Sequence, residues 1–431
     1  MGNIVAPVST GEREFDVVVF GATGVTGRRV SAYLAERATE TGATWAAAGR
    51  DAAKLDRILA EDGVTGAATM VAELGDPASL AAMAARARVV LNLVGPYTLY
   101  GRPVIDACVE GGAHYADLTG EIPFVRRVLD SVGPRAEAAG VKLVQVCGFE
   151  ALPPDLAVAA AAEAAHERWD EELAEADVEV TIKGPPGMPK ASDMLSGGTL
   201  QSMIAITTAE GAESVTDPAA LIPDAARADE VRRRSPVSVA PRRGSGGTVI
   251  GPMAPAAFIN PAVIHRTAAL LAADANGGAA PFRYREGVAL PGGSASLPLR
   301  FAVAGALSGT QATLGAATKA SPAVRGRVAG VMKKVFPASG FGPDADRLEN
   351  WSWQMAVRAR TPGGNEVRVD VDAEGHPGYL ATARMLGEAG LLLAEPGATP
   401  ERAGSLTPAT ALGTDSLERF EHARARFTVA A

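Results

Sequence analysis

The stretch FGATGVTGRRV carries glycine at every third position, Gly21, Gly24 and Gly27, between the apolar run Val17–Phe20 and a segment with helical periodicity. That spacing suits a phosphate. A tight strand-to-helix turn calls for a residue without Cβ, a pyrophosphate must approach the backbone closely, and the helix must lie near its strand. Backbone amides across Thr23, Gly24, Val25, Thr26 and Gly27 would then face the anion at the positive end of the helix dipole. The other reading is an ordinary strand-loop-helix turn with no ligand. About 20 residues further on, where dinucleotide-binding chains read the adenosine ribose, the second strand ends in AAAG-Arg50-Asp51, followed by Lys54. Arg50 and Lys54 suit a 2′-phosphate, and Asp51 reads as the N-cap of the next helix. The alternative makes Arg50 a solvated charge and Asp51 the ligand of a ribose diol. The expected cofactor is NADP(H). Asp76, after the third strand, is placed either to meet the adenine edge or to cap a helix, and Asn92, Val94, Gly95 and Pro96 would border the nicotinamide.

The elements that hold these residues follow from the pattern of apolar runs. From Phe15 to Gly148, short runs such as DVVVF, VVLNLV and KLVQV alternate with amphipathic stretches. This is the sequence form of an α/β fold with a Rossmann-type, doubly wound parallel sheet, here of six strands over residues 13–150. After Gly148 the pattern changes. DVEVTIKG reads as a strand, and WSWQMAVRAR and NEVRVDVDAEG read as a hairpin around TPGG, with Trp351, Trp353, Met355 and Val357 sharing one face. Residues 151–375 are therefore expected to form a second, α+β domain on a largely antiparallel sheet, with a surface loop or lid near 213–248. The segment 376–431, through the apolar face of GYLATARMLGEAGLLLA, is expected to pack back on the first domain.

Composition narrows the classes. With 431 residues, 47% apolar and 21% charged, the chain has material for two cores. Its 41 basic and 49 acidic residues leave a net charge of -8, which argues against binding nucleic acid nonspecifically. Cys108 and Cys147 fit neither a disulfide framework nor a zinc spacing, and the five histidines are scattered, so no metal is expected. There is no basic segment followed by an apolar signal core and no run of about 18 strongly apolar residues. The cytoplasm is the expected location, with membrane contact only at a surface.

Several longer motifs carry a resemblance. GATGVTG, AGR near position 50, GPYTLYGRPVIDACVEGGAHYADLTGE at 95–121, CGFEALPPDLA from 147, LSGGTLQS at 195–202, NP at 260–261, HPGYLATARMLGEAGLLLA at 376–394 and LTPATALG at 406–413 span nearly the whole chain. Together they resemble the saccharopine dehydrogenase-like oxidoreductases, in the branch of the mycobacterial trans-acting enoyl reductases. Where that family usually reads GFDS.PSD this chain has Gly148, Phe149, Glu150, Ala151, Leu152, Pro153, Pro154 and Asp155, and His376 replaces the Asp of DPGY. The resemblance implies hydride transfer from NADPH to a double bond conjugated to a thioester, on an acyl or lipid substrate. Two alternatives stand beside it: an imine-reducing enzyme like saccharopine reductase, for which Arg102 is the candidate carboxylate partner, and a dinucleotide-binding sensor or scaffold without catalysis.

Hydride delivery to a conjugated carbon leaves an enolate that needs a proton and a hydrogen bond. Tyr97, after the Gly95-Pro96 turn, is the catalytic candidate, and Tyr100, Tyr115, Asp117 and Glu121 fall near the same carboxyl edge of the sheet. The bland reading of each tyrosine is a packed ring with a satisfied hydroxyl. A last feature concerns partners. Between Glu286 and Asp344 there is no acid, whereas Arg300, Lys319, Arg325, Arg327, Lys333 and Lys334 all occur there, after and within weakly apolar runs. The segment 300–336 is expected either to meet an anionic membrane surface or an acidic acyl carrier, or to form a core helix with a solvated basic end.

Overall fold

The computed structural model describes residues 13–186, 197–274, 280–290, 296–335 and 347–430. In chain order the elements begin β1 (Phe15–Phe20), α1 (Val25–Thr41), β2 (Trp45–Gly49), α2 (Ala52–Glu61), β3 (Ala68–Val71), α3 (Pro77–Arg86) and β4 (Ala87–Asn92). They continue with α4 (Tyr97–Gly111), β5 (His114–Asp117), α5 (Ile122–Ser131), α6 (Gly133–Ala138), β6 (Lys142–Val144), α7 (Leu152–Trp169) and β7 (Glu175–Lys183). Next come α8 (Gly197–Thr208), α9 (Ala225–Arg234), β8 (Arg242–Arg243), β9 (Val249–Gly251), α10 (Asn260–Asp274), β10 (Arg283–Leu290), α11 (Leu297–Thr318) and α12 (Pro322–Val335). The chain closes with β11 (Ser352–Arg360), β12 (Glu366–Glu374), α13 (Thr382–Ala394), β13 (Gly404–Leu406), α14 (Pro408–Leu412) and β14 (Ala425–Ala430).

These elements form two compact units. The first comprises the chain up to Thr119 with Arg127–Gly148 and Thr382–Ser416, and the second comprises Gly120–Arg126, Phe149–Ala381 and the chain from Leu417. In the first, seven strands run in the order β13-β6-β5-β4-β1-β2-β3, each paired parallel to its neighbour. Val17, Val18 and Val19 of β1 are fully buried, as a strand covered on both faces requires, and each buried valine contributes about 1.5 to 3 kcal/mol. The seventh strand, β13, is three residues long and comes from the C-terminal part of the chain.

Helix α13 belongs to this first unit and is buried along its whole length, including Arg384 and Glu388. A single apolar face was expected. The helix lies too close to its neighbours for that, since a Cβ on Gly387 would stand 2.4 Å from Tyr33 Cδ1 and one on Gly390 would stand 3.1 Å from Leu91 Cδ1. Its buried carboxylate is compensated: Tyr33 Oη donates to Glu388 Oε2 at 2.5 Å, and Arg37 Nε donates to the same atom at 3.1 Å.

The second unit holds a mixed sheet in the order β14-β12-β11-β7-β10-β9-β8, antiparallel except between β10 and β7. The hairpin β11–β12 pairs Trp353 with Ala373, Met355 with Val371 and Val357 with Val369, and all six are buried. Two expectations are corrected here. Residues 213–248 are not a structureless lid: they contain α9 and β8, and Ala219, Ile222, Ala228 and Val231 form a small core. The tail is divided as well. Thr382–Ser416 joins the first unit, but β14 hydrogen-bonds to β12 and extends the second sheet, because Phe427 and Val429 take up register with Val371 and Val369.

Candidate cofactor site

In the first sheet the chain proceeds outward from β1 to β3 and then crosses to β4 on the other side of β1. The carboxyl ends of β1 and β4 therefore flank a topological switch point, where open α/β sheets bind their ligands. Gly21 follows β1 with φ +90°, a conformation that disfavours any side chain. A Cβ there would also stand 2.8 Å from Val94 Cγ2, so the loops after β1 and β4 touch. Gly27 is more confined. Its Cβ would stand 2.2 Å from the Gly21 carbonyl oxygen and 2.9 Å from Ala22 Cα. Gly24, in contrast, is exposed and would meet only the Gly21 oxygen at 3.3 Å, leaving its outer side open. No side chain caps α1 at Gly24, and the first turn carries no acid. The amides of Val25 and Thr26, which have no intrahelical partner, are thus available to an anion, and Thr23 lies at the mouth of the same turn. Behind the loop, the amides of Gly21 and Ala22 donate to the Ala48 carbonyl at 3.0 and 3.3 Å, tying the turn to the end of β2.

Arg50 and Lys54 are exposed and form no hydrogen bond or ion pair through their side chains among the described residues. Asp51 caps α2, accepting from the Lys54 amide at 3.0 Å. Its carboxylate is therefore engaged at the start of the helix, as the sequence led us to expect. Asp76 likewise caps α3, accepting from the Ala78 amide at 3.1 Å.

The ends of β4 and β5 are joined by a buried polar chain. Asn92 Nδ2 donates to Tyr115 Oη at 3.1 Å, and Tyr115 Oη donates to Asp117 Oδ2 at 2.8 Å. Asn92 Oδ1 accepts from the Val94 amide at 3.0 Å, which shapes the turn through Gly95 and Pro96. Burial, reinforced by the Asp117 carboxylate, pushes the Tyr115 phenol well above its ordinary range. Tyr97 is the catalytic candidate of the sequence, for protonation or for binding the oxyanion. The structure favours the bland reading of it: the residue is 7% exposed, its hydroxyl donates to the Asn92 carbonyl at 3.0 Å and accepts from the Leu118 amide at 3.4 Å. His114 is structural as well, with Nδ1 accepting from the Lys142 amide at 3.1 Å and burial holding the imidazole down to about 4.

One bend at this edge was missed by sequence reasoning. KLVQV reads as continuous strand, yet β6 stops at Val144 because Val146 adopts φ +65°, a left-handed conformation that is unusual for a β-branched residue. Asp117 holds it there, Oδ1 accepting from the amides of Thr119 at 3.0 Å and Val146 at 3.3 Å and its carbonyl accepting from Cys147 at 2.8 Å. Just before the bend, the Gln145 amide is buried with neither its oxygen nor its nitrogen partnered among the described residues.

In the second unit the motif residues gather differently. Asn260 Nδ2 donates to Glu286 Oε2 at 2.7 Å and also to the Glu150 carbonyl, and Tyr284 Oη donates to the same Glu286 oxygen at 2.6 Å. Thr267 Oγ1 donates to Asp155 Oδ1 at 2.5 Å, so Asp155 serves as a buried anchor of α7. Glu121 accepts from Ser202 Oγ at 2.8 Å.

A glycine turn at the switch point of a seven-stranded parallel sheet, followed after the second strand by two cations unpaired among the described residues, has the setting in which open α/β sheets bind a dinucleotide, and the likenesses that follow make the chain an NADP-dependent oxidoreductase. Residues 17–144 match the family model of the saccharopine dehydrogenase NADP-binding domain. A Mycobacterium tuberculosis chain assigned by name to the trans-acting enoyl reductases is 34% identical over 426 residues, 95% of this chain and 96% of its own. The trans-acting enoyl reductase of the same organism is 32% identical over 434 residues, covering 96% and 97%, and that of Mycobacterium ulcerans is 32% identical over 436 residues with the same coverage. Apo saccharopine dehydrogenase (L-Glu forming) from Saccharomyces cerevisiae shares the fold at 12% identity, with a TM-score of 0.52 over 96% of this chain and 99% of that one. The chain belongs to the saccharopine dehydrogenase-like oxidoreductases, in the branch of the trans-acting enoyl reductases.

Proposed function

We propose that this oxidoreductase reduces the carbon-carbon double bond of an enoyl thioester, on an acyl or lipid substrate held by coenzyme or carrier. The observation that carries the reading is the likeness to trans-acting enoyl reductases at 32% to 34% identity along nearly the whole chain, second unit included, and not in the nucleotide domain alone. NADPH supplies hydride to the β-carbon of the conjugated system when bound.

The residues of this chain supply the rest. Gly21, Gly24 and Gly27 admit the pyrophosphate to the backbone, Arg50 and Lys54 select the 2′-phosphate, and Asn92, Val94, Gly95 and Pro96 set the nicotinamide end. In this reading Tyr97 is a positioning residue, since its hydroxyl holds the Asn92 carbonyl and so fixes the turn beside the reacting carbon. Direct proton donation by Tyr97 would require that hydrogen bond to break first. An amino-acid substrate is less well served. Arg102, the candidate for its carboxylate, is exposed and paired with Asp106 at 2.7 Å. The test is NADPH oxidation with enoyl thioesters of increasing chain length, with saccharopine and NADP+ in parallel. A saturated thioester formed mole for mole with NADP+ supports the reading, saccharopine turnover supports the imine alternative, and NADPH binding without turnover of either supports the sensor.

A further inference from the structure

Helix α11 carries its side chains the wrong way round for an ordinary surface helix. Its buried positions are Ala304, Gln311, Gly315 and Thr318. Leu299, Val303 and Leu307, spaced four apart on one stripe, are 55%, 46% and 40% exposed. Close packing on the small side explains the seating. A Cβ on Gly315 would stand 3.0 Å from Thr216 Cγ2 and 3.3 Å from Phe258 Cζ, and Gly251 lies under Ala304 with room only for ordinary contact. Leu297, Phe301 and Leu314 are half-buried, and Leu299, Val303 and Leu307 are left largely in solvent.

Helix α12 continues the pattern and adds charge. Val324 and Val331 are 44% and 63% exposed, and Arg327 and Lys334, also exposed, share their stripe at intervals of three and four. Half of the large apolar residues exposed among the described residues lie in these two helices. No acid occurs between Glu286 and Asp344. Lys319, Arg327, Lys333 and Lys334 form no ion pair among the described residues, as is also true of Arg50 and Lys54, whereas Arg232 is paired with both Asp217 and Asp229.

We propose that α11 and α12 form a docking surface for an anionic lipid surface, lying along it with the aliphatic stripe at the acyl boundary and the cations among the head groups. The combination selects this occupant. A second copy meeting the same face across a two-fold axis would set like charges against each other. An acidic protein would be drawn by the cations alone and does not call for the aliphatic stripe, and it is an outcome of the test below. The contact is peripheral, since no helix of the described residues is long and apolar enough to cross a membrane. It does not depend on which substrate the enzyme reduces.

The full-length protein, sedimented with vesicles of phosphatidylcholine alone and of phosphatidylcholine mixed with phosphatidylglycerol, tests this at low and high salt. Sedimentation with the anionic vesicles only, weakening as salt rises, is expected. Arg327→Gln with Lys334→Gln should weaken that partition by roughly 25-fold at low salt, from about fivefold per cation. Leu299→Ser with Val303→Ser should weaken it at both salt concentrations, while NADPH binding in all variants reports that the fold is intact. The proposal is overturned by equal binding to neutral vesicles, by no binding, or by variants that match the parent. It is equally overturned if the cations serve only to capture an acidic carrier protein or a second copy in the absence of lipid.

Discussion

Gly27 packs against Gly21 with no room for a methyl group, since a Cβ on Gly27 would stand 2.2 Å from the Gly21 carbonyl oxygen. Gly27→Ala should therefore push the phosphate loop off its helix, lowering thermal stability and weakening NADPH binding by about 5- to 150-fold, the range that overpacking by 1 to 3 kcal/mol gives. Gly24→Ala makes a useful contrast. Its φ of -78° suits any residue and a Cβ there would meet only the Gly21 oxygen, at 3.3 Å, so the melting temperature should fall far less than in Gly27→Ala while NADPH binding weakens. Calorimetry and a fluorescence titration of NADPH on both variants would separate the two roles, and a Gly27→Ala protein that binds like the parent would remove the packing argument.

Arg50 follows β2 with no partner for its guanidinium among the described residues, while its neighbour Asp51 is engaged in capping α2. Arg50→Ala should weaken NADPH binding by about 10- to 150-fold, corresponding to roughly 1.5 to 3 kcal/mol for hydrogen bonds to a charged group, and leave NADH binding nearly unchanged. Equal weakening of both nucleotides would contradict the 2′-phosphate assignment.

Tyr97 distinguishes bracing from proton transfer. If its hydroxyl only holds the Asn92 carbonyl, Tyr97→Phe should cost about 1 kcal/mol of stability and reduce kcat less than tenfold, with no new limb in the pH profile. A general acid would show a loss of about 100- to 10,000-fold and a changed pH dependence, and that result would restore Tyr97 as the donor.

The glycine loop and the alternation of strands and helices were legible because each rests on local spacing, and so was the β11–β12 face, where every second residue turns inward. Other features were hidden for physical reasons. Helix α13 buries Glu388 beneath Tyr33 and Arg37, partners more than 350 positions away in the chain. No periodicity reveals such a compensated charge. Strand β13 is too short to stand out, and Val146 bends the chain only because Asp117 captures its amide. Tyr97 could be placed at the correct turn, but whether its hydroxyl was free depended on a carbonyl five residues before it.

Glu286 gives the fold a pH dependence of definite sign. Burial pushes its carboxyl up to about 7, against the hydrogen bonds from Tyr284 and Asn260, whereas in the unfolded chain it returns to its ordinary 4.5. The folded state therefore holds a proton that the unfolded state releases, and stability from this group falls as pH rises from about 4.5 to 7, by about 3 kcal/mol in total. Glu286→Gln should flatten that part of the profile and gain relative to the parent at pH 8. Denaturant unfolding at pH 5 and 8 would show it, and parallel profiles in the two proteins would exclude the assignment.

The most direct measurement follows the hydride itself. NADPH carrying deuterium at the transferable position is incubated with the enzyme and an enoyl thioester, and the product is examined by mass spectrometry and NMR. One deuterium on the β-carbon of a saturated thioester, with a solvent proton on the α-carbon, is the predicted result. Deuterium appearing instead on the carbon beside an amine when an imine-forming substrate pair is supplied, or no transfer to enoyl thioesters of any chain length, would contradict it.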